Sequence, residues 1–492
     1  MKKSETGLLT ETFEIKGKWF LPETTLDQGG VAGVLRYSPD HILLDLFNTL
    51  NRFSPLRTSP LSSHPRINGY SESGEWITLF NCVPRNFHLN APGFDTIAYQ
   101  INHFYIGTEL IEDEGIEMPV KASFSFLNLD AWLDYNIISY SYTQELGKAE
   151  CVIDLNTSTP ERKQLHIPAI GMTLCEEAGY RLEPPKDFFL NERTEIIVHR
   201  FFRLTGIDNQ STSFQRLTDY LHQLQHLFTL LIGKAMFFSY INFSVPDAKR
   251  DIRSKTAHTT DRHFRLFYNQ AGDMTRIPHL SRNKPFSILI KRKDIKDEME
   301  SILNNWFGHQ EKFKEIITAY ISDLYLPTHP ENKFLNIVKG LETFHRCYFE
   351  ETSNESLNLD LDSERSKLLA FIREEVSEEV QDYFISRVNY REEKATLRQR
   401  IKYLLDVAPP QLTEQIIRKS PVSNKRDLIA VTIDTRNYYT HRDNRDKYPN
   451  VLKSSLDLRQ VSKGLAYLLQ FFCLTQIGID SEIVVKRLLE HF

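Results

Sequence analysis

The front part of the chain carries short apolar runs separated by turn-forming residues, a pattern typical of β-strands. Residues 34–37 and 42–47 flank the turn signal Ser38-Pro-Asp-His41 and therefore predict a hairpin. Further strands are predicted at residues 76–82, 103–107, 122–126, 195–204, 237–245, 264–268 and 286–291. The first 295 residues thus form a region dominated by strands.

One segment inside this region has helical periodicity. Between residues 213 and 232, apolar side chains recur at steps of three and four residues, which predicts one long amphipathic helix. The residues of its apolar face are Phe214, Leu217, Leu221, Leu224, Leu227, Phe228 and Leu231.

The pattern changes near residue 293, after which glycine is scarce and helical periodicity dominates. Helices are predicted at residues 297–322, 332–350, 364–404 with a break, 411–418, 424–440, 454–476 and 481–491. The polar, acidic segment 351–363 is predicted to be a solvated loop.

These patterns predict an α+β protein with segregated halves. A β-rich N-terminal region, sandwich- or barrel-like, spans residues 1–295, and an all-α helical bundle spans residues 296–492. A division of the first region into two subdomains near residue 210 stays open. A length of 492 residues suits two or three domains of ordinary size.

The composition of the chain excludes several classes of protein. Hydrophobic residues make up 41% of the chain and charged residues 25%, which excludes a disordered protein. The 60 basic and 65 acidic residues give a net charge of −5, which excludes a generally basic nucleic-acid coat but allows a local basic site. The five scattered cysteines form no CxxC pair, so a disulfide scaffold or a structural zinc site is not expected. No apolar segment resembles a signal peptide or a membrane span, and we therefore expect a cytoplasmic protein that does not bind a membrane.

A first candidate for chemistry is the pair His222 and His226 in the predicted helix. Histidines at i and i+4 share a helix face and can hold a metal. A metalloprotease would need glutamate as its general base at the second position, where this chain has Gln223, and no third ligand is near. We therefore expect two polar residues on the outer face of an amphipathic helix, and no metal or cofactor.

A second candidate lies in the predicted helix 424–440 and just beyond it. Arg436 and His441 are five positions apart, and arginine–histidine pairs at this spacing also arise elsewhere in the chain by chance. The context is more informative, because Asn437 follows Arg436 directly and shares a helix face with His441. Arg436 lies about 140° around the axis from His441, a separation that a long guanidinium side chain can bridge.

This trio suits RNA cleavage without a metal. His441 can exchange protons with the ribose 2′-OH or the leaving 5′-oxygen, since imidazoles titrate near neutral pH. Arg436 can donate to the phosphate oxygens as negative charge accumulates on them, and Asn437 can orient His441 or bind the same phosphate. Tyr438 and Tyr439 offer rings on which single-stranded bases can stack.

The distribution of charged residues along the helical half favours a polyanionic partner. Residues 421–463 contain nine Lys or Arg, among them Arg442 and Arg445, and five Asp or Glu. Residues 350–393 contain thirteen acids and five bases. We interpret the basic stretch as the RNA-binding part of the site.

Several segments resemble those of a known family. Arg436-Asn-Tyr-Tyr-Thr-His441 resembles the arginine-polar-x3-histidine signature of HEPN ribonucleases, and residues 335–346 resemble the first helix of the ApeA-like HEPN group. Residues 17–22 and 33–37 resemble the opening of the ApeA N-terminal domain. Residues 67–70, 78–82 and 124–133 continue this second resemblance.

The resemblance implies an anti-phage defence protein that acts by abortive infection. It implies that the β-rich region senses a phage-derived trigger or restrains the enzyme, while the HEPN domain cuts host or phage RNA, with tRNA as a candidate substrate. It also implies a homodimer, no metal requirement and cleavage products with 2′,3′-cyclic phosphate ends. Carried over residue by residue, Arg436 and His441 are catalytic and Asn437 is their polar partner.

Two other interpretations stay open. The helical half can be a non-catalytic RNA-binding or dimerisation module combined with a β domain that recognises a partner. Alternatively, a carbohydrate- or ligand-binding β domain can carry an incidental helical tail.

Overall fold

The computed structural model describes residues 8–50, 62–88, 92–127, 129–133, 138–145, 148–155, 164–183, 195–246, 261–270, 288–326, 328–350, 361–389, 395–442 and 444–492. They divide into two compact units, Met1–Gly308 and His309–Phe492. The first is rich in strands and the second is helical, which confirms the predicted α+β class.

The strands of the first unit are antiparallel to their neighbours. They are β1 Phe13–Phe20, β2 Val31–Ser38, β3 His41–Leu46, β4 His64–Ser71, β5 Trp76–His88, β6 Thr96–Gln100, β7 His103–Gly107, β8 Lys121–Phe126, β9 Ile138–Glu145, β10 Lys148–Leu155, β11 Gln164–Ile167, β12 Met172–Glu183, β13 Glu195–Gly206, β14 Phe238–Val245 and β15 Arg262–Tyr268.

Six of these strands close a barrel in the order β5-β4-β1-β2-β3-β6 and back to β5. Closure depends on β5, which pairs with β7 over its first residues and with β6 from Val83 onward. The change of partner occurs at Asn81, whose φ of 53° lies in the left-handed region that asparagine tolerates better than most residues. Trp19, Tyr37 and Leu44 are fully buried.

The sheet continues from β5 in the order β7-β15-β14-β8-β13-β12-β11, while β9 and β10 form a separate hairpin. Three helices of this unit are α1 Leu26–Gly29, α2 Leu129–Leu133 and α3 Phe214–Ile232. α3 is the helix that the sequence predicts. It begins after Ser213, whose side chain accepts from the N–H of Arg216, and ends at Gly233 in the left-handed conformation. All seven residues of its predicted apolar face are buried. A further helix, α4 Met299–Gly308, also belongs to this unit.

The second unit is built from helices, most of which bury one face. They are α5 Gln310–Tyr325, α6 Pro330–Tyr348, α7 Leu361–Glu375, α8 Glu378–Asn389, α9 Leu397–Val407, α10 Pro410–Lys419, α11 Lys425–His441, α12 Ser455–Gln476 and α13 Ser481–His491. α6 packs closely against α12, because Gly340 leaves no side chain between the helix and Leu469. α11 contacts α6, α9 and α10.

Several predicted elements differ from the structure. The single helix expected at residues 297–322 is two helices, because the chain leaves the helical conformation at His309 (φ −96°, ψ 5°). The strand expected at residues 286–291 is absent from residues 288–291, and its first two residues lie outside the described part. The acidic loop expected at 351–363 lies outside the described residues up to 360, and α7 begins at Leu361.

Candidate functional site

The candidate residues lie at the C-terminal end of α11. The Asn424 side chain caps the start of this helix by accepting from the N–H of Asp427 at 3.0 Å. Leu428, Thr432 and Thr435 are buried and fix one face of the helix against the unit. Residues 436–439, which follow this buried face, are half-buried, and Thr440 and His441 are exposed.

The helix ends directly after His441. Arg442 adopts a left-handed conformation (φ 51°), and its N–H donates to the carbonyl of Tyr438 at 2.7 Å. This cap leaves His441 as the last helical residue, with its side chain exposed. Asn437 lies one turn before it on the same face.

The structure brings Arg436 and Asn437 into contact. Nη1 of Arg436 donates to Oδ1 of Asn437 at 3.1 Å. Nη2 of Arg436 lies 4.0 Å from Oε2 of Glu342 on α6, and both side chains are about one third exposed (32% and 28%). The guanidinium is therefore held in place while its remaining donors stay accessible. Within the described part of the chain, the His441 ring accepts or donates no hydrogen bond.

Three tyrosines form a cluster beside the trio, which we call the tyrosine cluster: Tyr438, Tyr439 and Tyr448. The Tyr438 ring lies 5.2 Å from that of Tyr439 and 6.4 Å from that of Tyr448. The guanidinium of Arg445 lies 5.8 Å above the Tyr438 ring, at cation–π distance. Partial burial, and to a lesser extent the nearby Glu331 carboxylate, raise the pKa of Tyr439, so this ring is neutral at physiological pH.

The loop that carries Arg445 is bonded back onto α11. The Asp434 carboxylate accepts from the backbone N–H and the side-chain amide of Asn450, at 3.0 and 2.8 Å. Oγ1 of Thr435 accepts from the N–H of Leu452 at 3.1 Å. These bonds keep the basic loop next to the catalytic candidates.

Sequence reasoning did not identify Glu342, Glu331 or Tyr448 as members of the site. The two glutamates belong to α6, about a hundred residues before the motif, so no local pattern links them to it. Tyr448 was detectable, since it lies within the basic stretch and close to the paired tyrosines.

The expectation for His222 and His226 was wrong in one respect, since neither lies on an outer face. Burial and, to a lesser extent, a neighbouring histidine lower the pKa of each to about 4. Both imidazoles are therefore neutral at pH 7. Among the residues that the structure describes, no group of three His, Cys, Asp or Glu side chains is arranged to hold a metal ion.

Comparison with protein families gives two matches. The model of ApeA N-terminal domain 1 matches residues 14–306, which is more than half of the chain. The chain belongs to the ApeA family. The model of the Apea-like HEPN domain matches residues 335–483 of this ApeA-type chain, a stretch that includes Arg436 and His441. The HEPN match assigns it to a defence-related family of HEPN nucleases, whose domains act on RNA. No curated protein and no solved structure matches the chain.

None of the helices described in this ApeA-type chain combines the length and the apolar character needed to cross a membrane.

Proposed function

We propose that this ApeA-type chain is an endoribonuclease that cuts RNA without a metal during anti-phage defence by abortive infection. The observation that carries the proposal is the bonded pair Arg436–Asn437, placed one helical turn before an exposed His441. The pair lies in the segment that matches the HEPN domain. In this proposal, residues 1–295 sense a phage-derived trigger or restrain the enzyme, and residues 296–492 cut RNA in the cytoplasm.

The proposed reaction is an internal transfer at phosphorus. The ribose 2′-oxygen attacks the adjacent phosphate, the bond to the 5′-oxygen breaks, and the products are a 2′,3′-cyclic phosphate and a 5′-hydroxyl. One proton leaves the 2′-OH and one reaches the 5′-oxygen, and His441 performs one of these transfers. Arg436 donates to the non-bridging oxygens, where negative charge grows in the transition state.

The reaction needs two proton transfers, but each chain supplies one histidine, His441, to the proposed site. This difference favours a homodimer. A second copy of the chain would bring a second His441 to the same cleft, so that one imidazole acts as base and the other as acid. The exposure of His441 supports this arrangement, because the ring is accessible at the surface of the unit.

Recognition of RNA is proposed to involve the surface next to the trio. Tyr438 and Tyr439 would stack on unpaired bases, as in tRNA loops, and Arg442 and Arg445 would bind phosphates. Arg442 and Arg445 are exposed, and Arg445 already lies over the Tyr438 ring, which supports a joint role for ring and guanidinium.

The test is cleavage of total RNA by the purified full-length chain in EDTA. Wild type is compared with His441→Ala and with His329→Ala, a control that removes an exposed histidine at the start of α6. We expect wild type and the control to leave cyclic phosphate ends, and His441→Ala to leave RNA intact. If none of the three proteins cleaves RNA, the assay is repeated with extract from phage-infected cells. Absence of cleavage there, with RNA binding retained by all three proteins, would refute the nuclease and support a non-catalytic RNA-binding module.

A further inference from the structure

The first unit contains a cavity of about 710 Å³ that is remote in sequence from the HEPN motif. It lies between α3, strands β5, β7 and β15, and the segment 109–118. Hydrogen bonds hold both ends of this segment: the N–H of Ile111 donates to the side-chain Oγ1 of Thr78 on β5, and Met118 forms an isolated antiparallel bridge with Thr212. The volume is within the range of small-molecule sites, about 300–1,000 Å³.

One face of α3 supplies polar groups to this cavity. Gln215, Thr218, Asp219 and His222 recur at three- and four-residue steps and all line it. The His222 ring packs edge-on against Tyr268 at 5.3 Å and is neutral at pH 7. These residues form the face of α3 that lies opposite its buried apolar face.

Acidic groups predominate along the cavity. Glu112, Asp113, Glu114 and Asp219 line it, and the single guanidinium there is that of Arg66. That guanidinium already donates to the carbonyl oxygens of Ile111, at 3.1 Å, and Glu112. An anionic ligand such as a nucleotide would therefore meet four carboxylates and one arginine, whose Nη1 already donates to two backbone carbonyls.

One hydrogen-bond acceptor at the cavity is buried without a donor. Oδ1 of Asn269 is buried and has no hydrogen-bond partner in the described part of the protein. The Asp219 side chain is exposed, and its carboxylate makes no hydrogen bond or ion pair within the described ranges. A buried acceptor without a donor is costly, so a ligand that brings N–H donors would relieve this cost at Asn269.

Aromatic rings complete the lining. Phe80 stacks on His103 with ring centroids 5.2 Å apart and planes within 7°. Glu114 accepts from Nε2 of His103 at 2.9 Å and from the hydroxyl of Tyr105 at 2.7 Å, which fixes its carboxylate at the cavity wall. Rings next to carboxylates are the combination that recognises ammonium groups on a carbon skeleton.

We propose that this cavity binds a small organic cation, an amine whose ammonium group is held by the carboxylates and whose carbon chain lies against the rings. A free polyamine and the lysine side chain of a peptide share this chemistry. The proposal concerns binding to the first unit and does not depend on nuclease activity.

The test is calorimetric titration of the full-length chain, free of RNA, with putrescine, spermidine and N-acetyl-lysine amide, and with AMP as an anionic comparison. We expect at least one amine to bind and AMP not to bind. Asp219→Asn should weaken the amine about tenfold or more, since it removes a charged acceptor while keeping the shape of the side chain. Glu114→Gln should also weaken binding, but it disturbs His103 and Tyr105, so Asp219→Asn is the decisive variant.

The control is Glu72→Gln, which removes one exposed carboxylate outside the cavity and should leave the affinity unchanged. Binding by putrescine or spermidine identifies the ligand as a free amine, and binding by N-acetyl-lysine amide alone identifies a lysine of a partner segment. The proposal is overturned if no amine binds to the folded chain, if AMP binds in their place, or if Asp219→Asn and Glu72→Gln have equal effects.

Discussion

His345 should make the stability of the helical unit depend on pH. This histidine of α6 is fully buried, and neither of its ring nitrogens has a hydrogen-bond partner among the described residues. Its ring packs edge-on against Tyr403 at 5.1 Å. Burial and, to a lesser extent, the nearby Arg400 guanidinium lower its pKa from 6.5 to about 4, opposed by Glu350.

The direction in which pH changes the free energy of unfolding follows from the lowered pKa of His345. Above pH 6.5 His345 is neutral in both the folded and the unfolded state and adds no pH dependence. Between pH 6.5 and 4 the unfolded chain takes up a proton that the folded chain excludes, so the free energy of unfolding falls. With one pKa unit worth about 1.4 kcal/mol, the loss between pH 7.5 and pH 5 is about 2 kcal/mol, and it approaches about 3 kcal/mol near pH 4.

The perturbation is His345→Phe, which removes the titratable group and keeps a ring beside Tyr403. Its control is His329→Phe, which removes an exposed histidine at the start of the same helix. Hydrogen exchange in peptides of α6 and α12, measured at pH 5 and 7.5 and corrected for the intrinsic rates, gives the free energy of opening. Tryptophan fluorescence reports separately on the first unit, because all four tryptophans lie at or before Trp306.

We expect wild type and His329→Phe to lose about 2 kcal/mol more than His345→Phe over this pH interval. An equal loss in all three proteins would show that His345 is not the group responsible, and the reasoning from burial would be refuted.

Two further predictions concern α6. Gly340→Ala should destabilise the helical unit by about 1–3 kcal/mol, because its new Cβ would lie 2.7 Å from Cδ2 of Leu469. Thermal unfolding followed by circular dichroism tests this, and the control Gly308→Ala should be near neutral, because no atom lies within 4 Å of its added carbon. Glu342→Gln should change stability by less than about 1 kcal/mol, since its 4.0 Å ion pair with Arg436 is partly exposed, but it should tighten RNA binding and steepen the dependence on salt. Binding isotherms at several salt concentrations in a His441→Ala background test this, and weaker binding would contradict it.

The helical unit was predictable because its signals are local. The periodicity that places a helix at 424–440 gives α11 at Lys425–His441, and the segments 454–476 and 481–491 give α12 and α13 within one residue. The break at His309 was missed, since the apolar periodicity runs on from α4 into α5 and no proline or glycine pair marks the interruption beyond Gly308.

The barrel was only partly predictable, because its closure depends on pairing between distant residues. The hairpin of β2 and β3 follows from its turn residues. Strand β5 changes its partner from β7 to β6 at Asn81. This change has no local signal, because the sequence of a strand does not show which other strand it pairs with. For the same reason the cavity beside α3 was not foreseen. Its lining comes from α3, from β4, β5, β7 and β15, and from a loop, whereas the sequence showed only that His222 shares a helix face with His226.

The contacts of Arg436 show why arginine suits this position better than lysine. Its planar guanidinium has five donors, and only one, on Nη1, is used in the 3.1 Å bond to Asn437. The 4.0 Å separation from Glu342 is too long for a hydrogen bond, so this carboxylate attracts the guanidinium without saturating it. Arg436 can therefore stay bonded to Asn437 while its remaining N–H groups take two oxygens of one phosphate. A lysine ammonium is a single point charge and would have to exchange the amide for the phosphate. In the proposed complex, the Glu342 carboxylate that attracts the guanidinium would also repel the phosphate, so RNA binding by Arg436 would work against this repulsion.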